Sequence, residues 1–266
     1  MTYAVVGGDA RLQILARLLA EDNTVLDCTE KLYDLWDSDC IVLPVPAEKN
    51  GMLFAPNWSE KMSMAELVER LPENALVIGG KLSPDTVKRA ENRGLRLYDI
   101  MNSAAFTVGN AALTAEGAVQ LLMGALPRSL DGARVLVVGF GRIGKLLCKK
   151  LAALGGSVTV LSQNAESRAM AKALGYGAVS PSETLGSFDA AVNTAPARVL
   201  QSLDTLSKSC VLLELASAPG GFDRAEAERL GMQYIAAPGL PGVYAPASAA
   251  ALIGEEVKRI VKEKKA

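Results

Sequence analysis

The sequence predicts an α/β protein built from two doubly wound parallel-sheet domains with a cleft between them. Three observations predict it. Short apolar runs of strand length alternate with segments of helical periodicity along the chain, the pattern of parallel strands joined by crossover helices. One apolar strand ends directly in Gly139-x-Gly141-x-x-Gly144 and enters a helical pattern. The chain has 266 residues, 50% apolar and 21% charged, enough to bury two cores of ordinary domain size.

Residues 2–6 read as the first strand, Gly7-Gly8-Asp9 as a turn, and 11–20 as a helix with Leu12, Leu15, Leu18 and Leu19 on one face. Strands follow at 25–28 and 40–43, the latter stopped by Pro44-Val45-Pro46. A helix at 62–71 precedes a strand at 75–78, Gly79-Gly80-Lys81 turns the chain, Ser83-Pro84 caps another helix, and 95–98 is a further strand. Thr114 is placed as the N-cap of a helix at 115–126, with Glu116 in its first turn, bridging the two halves. Strands at 135–138 and 157–161 flank a helix at 145–154 closed by Gly155-Gly156. Further strands read at 190–193, 210–215 and 233–236, and 248–262 forms a last helix. The domains are then 1–113, an α/β domain for substrate or partner; 114–245, the glycine-turn domain with its linking helix 114–126; and 246–266, a C-terminal helix packing back between the domains.

The glycine turn carries the chemistry. Gly139 permits a tight turn, Gly141 lets backbone approach a pyrophosphate, and Gly144 lets the helix pack on the strand. With Arg142 and Ile143 between them, the free N–H groups and dipole at this helix start attract an anion. Strand, turn, helix and second strand in this order predict a Rossmann-like dinucleotide site; the alternative is a glycine turn in a nucleotide-free α/β domain. An acidic residue at the end of the second strand would bond the ribose 2′-hydroxyl of NAD. The chain has Ser162-Gln163-Asn164 there, with Arg168 one turn on. Uncharged donors and an arginine suit a 2′-phosphate, which favours NADP over NAD; if Arg168 is only a solvated helix residue, the site accepts both.

Ligands in such sheets bind beyond the carboxyl ends of the strands. Asn193-Thr194-Ala195-Pro196 would then bring amide and hydroxyl groups near the nicotinamide ribose, and Ser217-Ala-Pro-Gly-Gly221 would let backbone approach cofactor or substrate. Gly7-Gly8-Asp9-x-Arg11 holds the same place in the first half, with Arg11 able to clamp a carboxylate. Its bland alternative is an Asp9 N-cap with a surface Arg11. Pro238-Gly-Leu-Pro-Gly242 and Ala245-Pro246-Ala-Ser248 lead into the last helix, whose N-terminus would face an anionic group or simply end a proline turn.

Several classes fall away. Net charge is −1 and no basic stripe is readable, which argues against nucleic acid. The Lys-rich end, 255–265, reads as an amphipathic helix with cations at its C-terminus rather than a membrane anchor. Cys28, Cys40, Cys148 and Cys210 are scattered, as suits reduced core thiols, and no zinc site is readable. No apolar run approaches the ~18 residues of a bilayer span, and no signal peptide is readable, so a cytoplasmic protein is expected. The chain has no histidine. Hydride transfer between a 2-hydroxy acid and NAD usually uses histidine as its proton shuttle, so that reaction, histidine triads and most zinc hydrolases are disfavoured. A redox step with easy proton removal remains.

The segments Gly7-Gly-Asp-Ala-Arg11, Val42-Leu-Pro-Val45, Asn110-x-x-x-Thr114-Ala-Glu-Gly-Ala118, the turn 139–144, Asn193-Thr-x-Pro196, Leu215-Ala-Ser-x-Pro-Gly-Gly221 and Ala237-Pro-Gly-Leu-Pro-Gly242-x-x-Ala-Pro246 stand in that order. In this the chain resembles the A subunits of bacterial dipicolinate synthase over nearly its full length. It departs from that pattern at Ser162-Gln163, where an Ala-Arg type pair is expected, and at Ser248, which replaces a threonine. The resemblance implies NAD(P)-dependent oxidation of dihydrodipicolinate to dipicolinate during sporulation, in an oligomer with a flavoprotein-like B subunit. It also implies donors for a small dicarboxylate substrate: Arg11, Lys81, Ser217, Ser248 and the helix starts at Thr114 and Pro246. Another NAD(P)-dependent imine or 2-oxoacid reductase, or a noncatalytic nucleotide-binding scaffold protein, stays open beside it.

Overall fold

The computed structural model describes residues 1–35, 37–217 and 219–265; Trp36, Ala218 inside the segment 217–221, and Ala266 at the end of the expected last helix lie outside the described residues. The chain divides into two compact units, Met1–Asn110 with Pro241–Ala266, and Ala111–Leu240.

The first unit opens with β1 (Thr2–Val6), α1 (Ala10–Ala20), β2 (Thr24–Cys28) and β3 (Cys40–Val42). A hairpin of β4 (Glu48–Lys49) and β5 (Met52–Leu53), too short for its strands to show a period, precedes α2 (Met64–Arg70), β6 (Leu76–Gly79), α3 (Pro84–Asn92) and β7 (Arg96–Asp99). Side-chain oxygens of Asp9, Ser63 and Ser83 accept from the first turns of α1, α2 and α3, so each helix starts where a capping residue ends an extended stretch. The sheet order is β2-β1-β3-β6-β7, with every pair parallel. This is the five-stranded doubly wound order, reversing between β1 and β3.

Helix α4 (Ala104–Ala125) carries the chain into the second unit. It begins ten residues before the Thr114 cap that the sequence predicts: Ser103 Oγ accepts from the Phe106 N–H (3.3 Å), and Thr114 sits mid-helix. Thr107, Val108 and Gly109 weaken the helical pattern of the first turns. Gly109 is there for packing, since a Cβ would lie 2.7 Å from Leu252 Cδ1.

The second unit continues with β8 (Arg134–Val138), α5 (Arg142–Ala153), β9 (Ser157–Leu161), α6 (Ala165–Ala173), β10 (Gly177–Val179), β11 (Ala190–Asn193), β12 (Val211–Glu214), α7 (Arg224–Leu230) and β13 (Tyr234–Ala236). The order β10-β9-β8-β11-β12-β13 is parallel throughout. That is the Rossmann order, with its reversal between β8 and β11. The short α8 (Leu240–Tyr244) and long α9 (Pro246–Lys265) close the chain.

Alternate residues of β1 go to opposite faces. Tyr3 and Val5 join Leu12, Leu15 and Leu19 of α1 and Ile253, Val257 and Ile260 of α9 in one core, while Ala4 and Val6 join Leu67 and Val68 of α2 in another. The C-terminal helix thus packs on the N-terminal unit. The four cysteines are buried and free; burial pushes the thiols of Cys40, Cys148 and Cys210 up to about 12. Among the described residues no helix is long and apolar enough to cross a membrane, and no cluster of His, Cys, Asp and Glu could hold a metal.

Leu15 is fully buried, and Gly254 of α9 approaches it so closely that a Cβ there would lie 3.2 Å from its Cδ1. Leu15→Ala is expected to destabilise the first unit by about 2–5 kcal/mol. Urea unfolding followed by tryptophan fluorescence measures this, because both tryptophans of the chain, at positions 36 and 58, fall in the sequence of that unit.

Candidate functional site

The reversal between β8 and β11 places the glycine turn beside the end of β11. Gly139 sits at φ +92°, and its N–H donates to Leu161 O at 2.9 Å. A Cβ on Gly139 would come 2.8 Å from Thr194 Oγ1, and one on Gly144 would run into the Gly139 carbonyl. The Thr194 hydroxyl donates to Val138 O at 2.9 Å and lies 3.3 Å from Gly139 O, tying the turn to β11. Gly141 differs from both. Its φ is −79°, and a Cβ there would meet nothing within 4 Å.

Helix α5 has no side-chain cap on its first turn, whereas α1, α2, α3, α6 and α7 all have one. Its first N–H groups, the open space over Gly141 and the exposed Arg142, unpaired among the described residues, therefore suit a pyrophosphate. Ile143 is half-buried beside them.

At the end of β9, Ser162 Oγ accepts from the Asn164 N–H (3.2 Å), and Asn164 Oδ1 caps α6 by accepting from Ser167 (3.0 Å). Arg168 is not a solvated helix residue: its Nη1 donates to the carbonyls of Ser162 and Gln163, both at 2.8 Å. The guanidinium folds back over the turn where an adenosine ribose binds in this fold, and the turn carries no carboxylate.

The end of β11 is arranged otherwise than its sequence suggests. Asn193 is fully buried; its Nδ2 donates to Ala195 O (2.8 Å) and to Glu214 Oε1 (2.7 Å). Its amide, expected near the nicotinamide ribose, faces the protein instead, as does the Thr194 hydroxyl. Pro196 is exposed at the outer edge of the loop, and Ser217 is exposed after β12. Glu214, buried at 5% exposure, is a residue that the sequence motifs pass over. The available signal was an acid closing the otherwise apolar β12 directly beside Asn193.

In the first unit the β1 turn is closed. Gly7 and Gly8, at φ +67° and +85°, donate their N–H groups to Cys28 O (3.0 Å) and Phe54 O (2.7 Å). Asp9 caps α1 and also grips Arg11 side-on, Oδ1 to Nε at 2.9 Å and Oδ2 to Nη2 at 2.8 Å. Arg11 is only 6% exposed, so the surface alternative fails, but its fork is already engaged. A Cβ on Gly242 would lie 2.9 Å from Arg11 Nε, so the Pro-Gly segment before α9 lies directly over the pair. Burial alone would raise the Asp9 carboxyl, yet Arg11's hydrogen bonds and charge hold it below the ordinary value. The pair therefore stabilises the turn above the ordinary carboxylate pKa, a contribution lost as pH falls through the lowered value.

Lys81 follows β6 in the left-handed region at φ +57°, its side chain exposed and unpaired among the described residues. Thr114 is buried mid-helix, so it offers no helix start, and Ser248 is exposed in the first turn of α9.

Residues 2–101 match the family of N-terminal domains of the dipicolinate synthase A subunit. The N-terminal domain belongs to that family. Residues 97–201 match the NAD-binding domain of D-isomer specific 2-hydroxyacid dehydrogenases, which places the chain among the NAD-dependent oxidoreductases. The dipicolinate synthase A subunit of Bacillus subtilis (strain 168) is 26% identical across 99% of this chain and 96% of its own length. The crystal structures of the dipicolinate synthase A subunits from Bacillus halodurans and Bacillus subtilis superpose with TM-scores of 0.83 and 0.84, each at 26% identity. The first covers 97% of both chains, the second 99% of this chain and 96% of its own.

For this relative of the dipicolinate synthase A subunits, the three turn glycines separate by role. Gly141→Val should abolish nicotinamide dinucleotide binding and leave melting temperature nearly unchanged, since its φ suits any residue and only ligand space is filled. Gly144→Ala should instead destabilise the second unit by about 1–3 kcal/mol, because its Cβ meets backbone. Cofactor titration and thermal melting of both variants check the split; retained binding by folded Gly141→Val would make the turn merely structural.

Proposed function

We propose that this chain oxidises dihydrodipicolinate to dipicolinate with NADP, NAD being the second candidate, in the cytoplasm of sporulating cells and in company with a flavoprotein-like B subunit. The match to the Bacillus subtilis dipicolinate synthase A subunit along 99% of this chain carries the proposal. Residues 1–113 take the substrate or the partner, 114–245 take the dinucleotide, and 246–266 complete the fold.

The turn 139–144 and Arg168 would hold a dinucleotide, which when bound would supply the hydride acceptor, while the ring proton would pass to water as the dihydropyridine becomes aromatic. Because aromatisation removes the need for a strong base, a chain without histidine can perform this step largely by holding its reactants. A dicarboxylate would be buried only against donors. Arg11 and Lys81 follow β1 and β6, parallel strands of one sheet, and so belong to the same carboxyl edge. Arg11 keeps Nη1 for substrate while Asp9 holds its other edge. Ser217, Ser248 and the Thr114 hydroxyl are the neutral donors we assign to the substrate, and Thr194 and Pro196 border the cofactor. A D-2-hydroxyacid dehydrogenase is the second reading, favoured by the match over 97–201, but the missing histidine deprives it of the usual proton shuttle. Formation of NADPH from dihydrodipicolinate by the purified chain, with and without the B subunit, decides between them.

Cofactor choice is assigned to Arg168 and Ser162. Arg168→Ala is expected to weaken NADPH about tenfold, as a charge-assisted bond to the 2′-phosphate is lost, and NADH by no more than about threefold. Ser162→Asp should turn the preference toward NADH. Equal losses for both cofactors in calorimetry would remove Arg168 from the site.

Substrate binding separates the two cations. Lys81→Met is expected to lower dipicolinate affinity about tenfold with cofactor affinity and melting unchanged, its side chain being exposed. Arg11→Ala should lower dipicolinate affinity and also melting temperature, because Asp9 is left half-buried without its cation. Absence of dipicolinate binding by the parent chain with its B partner present would overturn the substrate.

A further inference from the structure

Among the described residues, Glu214 is the one buried carboxylate of the second unit, and no cation compensates it. Its Oε1 accepts from Asn193 Nδ2 (2.7 Å) and the Ala216 N–H (2.9 Å), and its Oε2 from the N–H groups of Gly221 (2.9 Å) and Phe222 (3.0 Å). Four donors from two strand ends converge on one side chain. A buried acid compensated only by hydrogen bonds is an expensive way to close a loop that apolar packing could close. With both oxygens engaged, Glu214 touches no ligand directly.

What it holds is specific. Asn193 in turn binds both Ala195 O (2.8 Å) and the Ala195 N–H (3.3 Å), so the loop after β11 is joined to Ala216, Gly221 and Phe222 beyond β12 through one pair of side chains. In a sheet of this strand order the adenosine half of a dinucleotide lies over β8 and β9 and the nicotinamide half over the ends of β11 and β12. The adenosine side has its own ties, through Asn164 and Arg168, and neither of them reaches Glu214.

We infer that the Glu214–Asn193 pair is a positioning clamp for the nicotinamide half of the cofactor site, setting the two strand-end loops against which the reacting ring is held. The clamp rests on the dinucleotide site described above, but on neither the substrate nor the choice between NAD and NADP.

The test compares a whole cofactor with its adenosine half. Glu214→Gln sets an amide NH2 against backbone N–H groups, and Gly221→Ala forces a Cβ to 2.5 Å from Asn193 Nδ2 while leaving the carboxylate intact. For the full-length chain, each variant should bind the reduced dinucleotide preferred by the parent about tenfold or more weakly, and bind ADP within about twofold of the parent. Hydrogen exchange at the Gly221 and Phe222 amides should quicken in Glu214→Gln. Affinity for both ligands falling together, or for neither, overturns the clamp, since a merely structural role leaves the ratio of the two unchanged. If Glu214→Gln does not fold, Gly221→Ala decides alone. A parent chain that binds neither ligand overturns the dinucleotide site and the clamp with it.

Discussion

Every strand pairing in the two large sheets is parallel, and the remaining features descend from that constraint. Parallel neighbours need crossover connections, so helices cover the faces and the strands themselves become apolar through and through. β1, β3, β8 and β11 are buried along almost their whole length. Polar chemistry is then displaced to the carboxyl ends, where Asp9, Arg11, Lys81, Asn193 and Glu214 are found.

The two units use one architecture to opposite ends. Both open with a strand, a glycine turn and a helix. In the first, the helix start already has its anion: the Asp9 carboxylate accepts from the Arg11 N–H, and Phe54 O takes the Gly8 N–H. In the second, α5 has no side-chain cap and Gly141 faces empty space. An anion-seeking helix terminus satisfied from within cannot also receive a pyrophosphate. This difference distinguishes the unit that matches an NAD-binding domain from the other.

Buried polar pairs set the detail in each unit. The Asp9–Arg11 pair fixes one edge of a guanidinium, and Gly242 must be glycine for the chain to lie over it. The Glu214–Asn193 pair fixes two loops at once. Such pairs contribute more to a single defined arrangement than to net stability, because the cost of burying them nearly offsets their attraction.

The parallel α/β class, most of the strands, the glycine turn with its missing carboxylate after β9, and the family resemblance are all legible in the amino-acid order, because each is local: a period of apolar residues, a spacing of glycines, a capping residue before a helix. The start of α4 is hard to read there, since Thr107, Val108 and Gly109 weaken the helical pattern locally, while the close approach of Leu252 at Gly109 comes from far along the chain. The hairpin at 48–53 leaves no local mark, and the one local sign of Glu214 is an acid closing the apolar strand β12. Which side-chain groups are already engaged emerges only once the chain is folded: the Asn193 amide faces Glu214 rather than a ribose, Arg168 folds back on two carbonyls, and Arg11 holds Asp9. Residue type states what bonds a side chain can make, but which of them it makes depends on partners that the sheet brings together from distant parts of the chain.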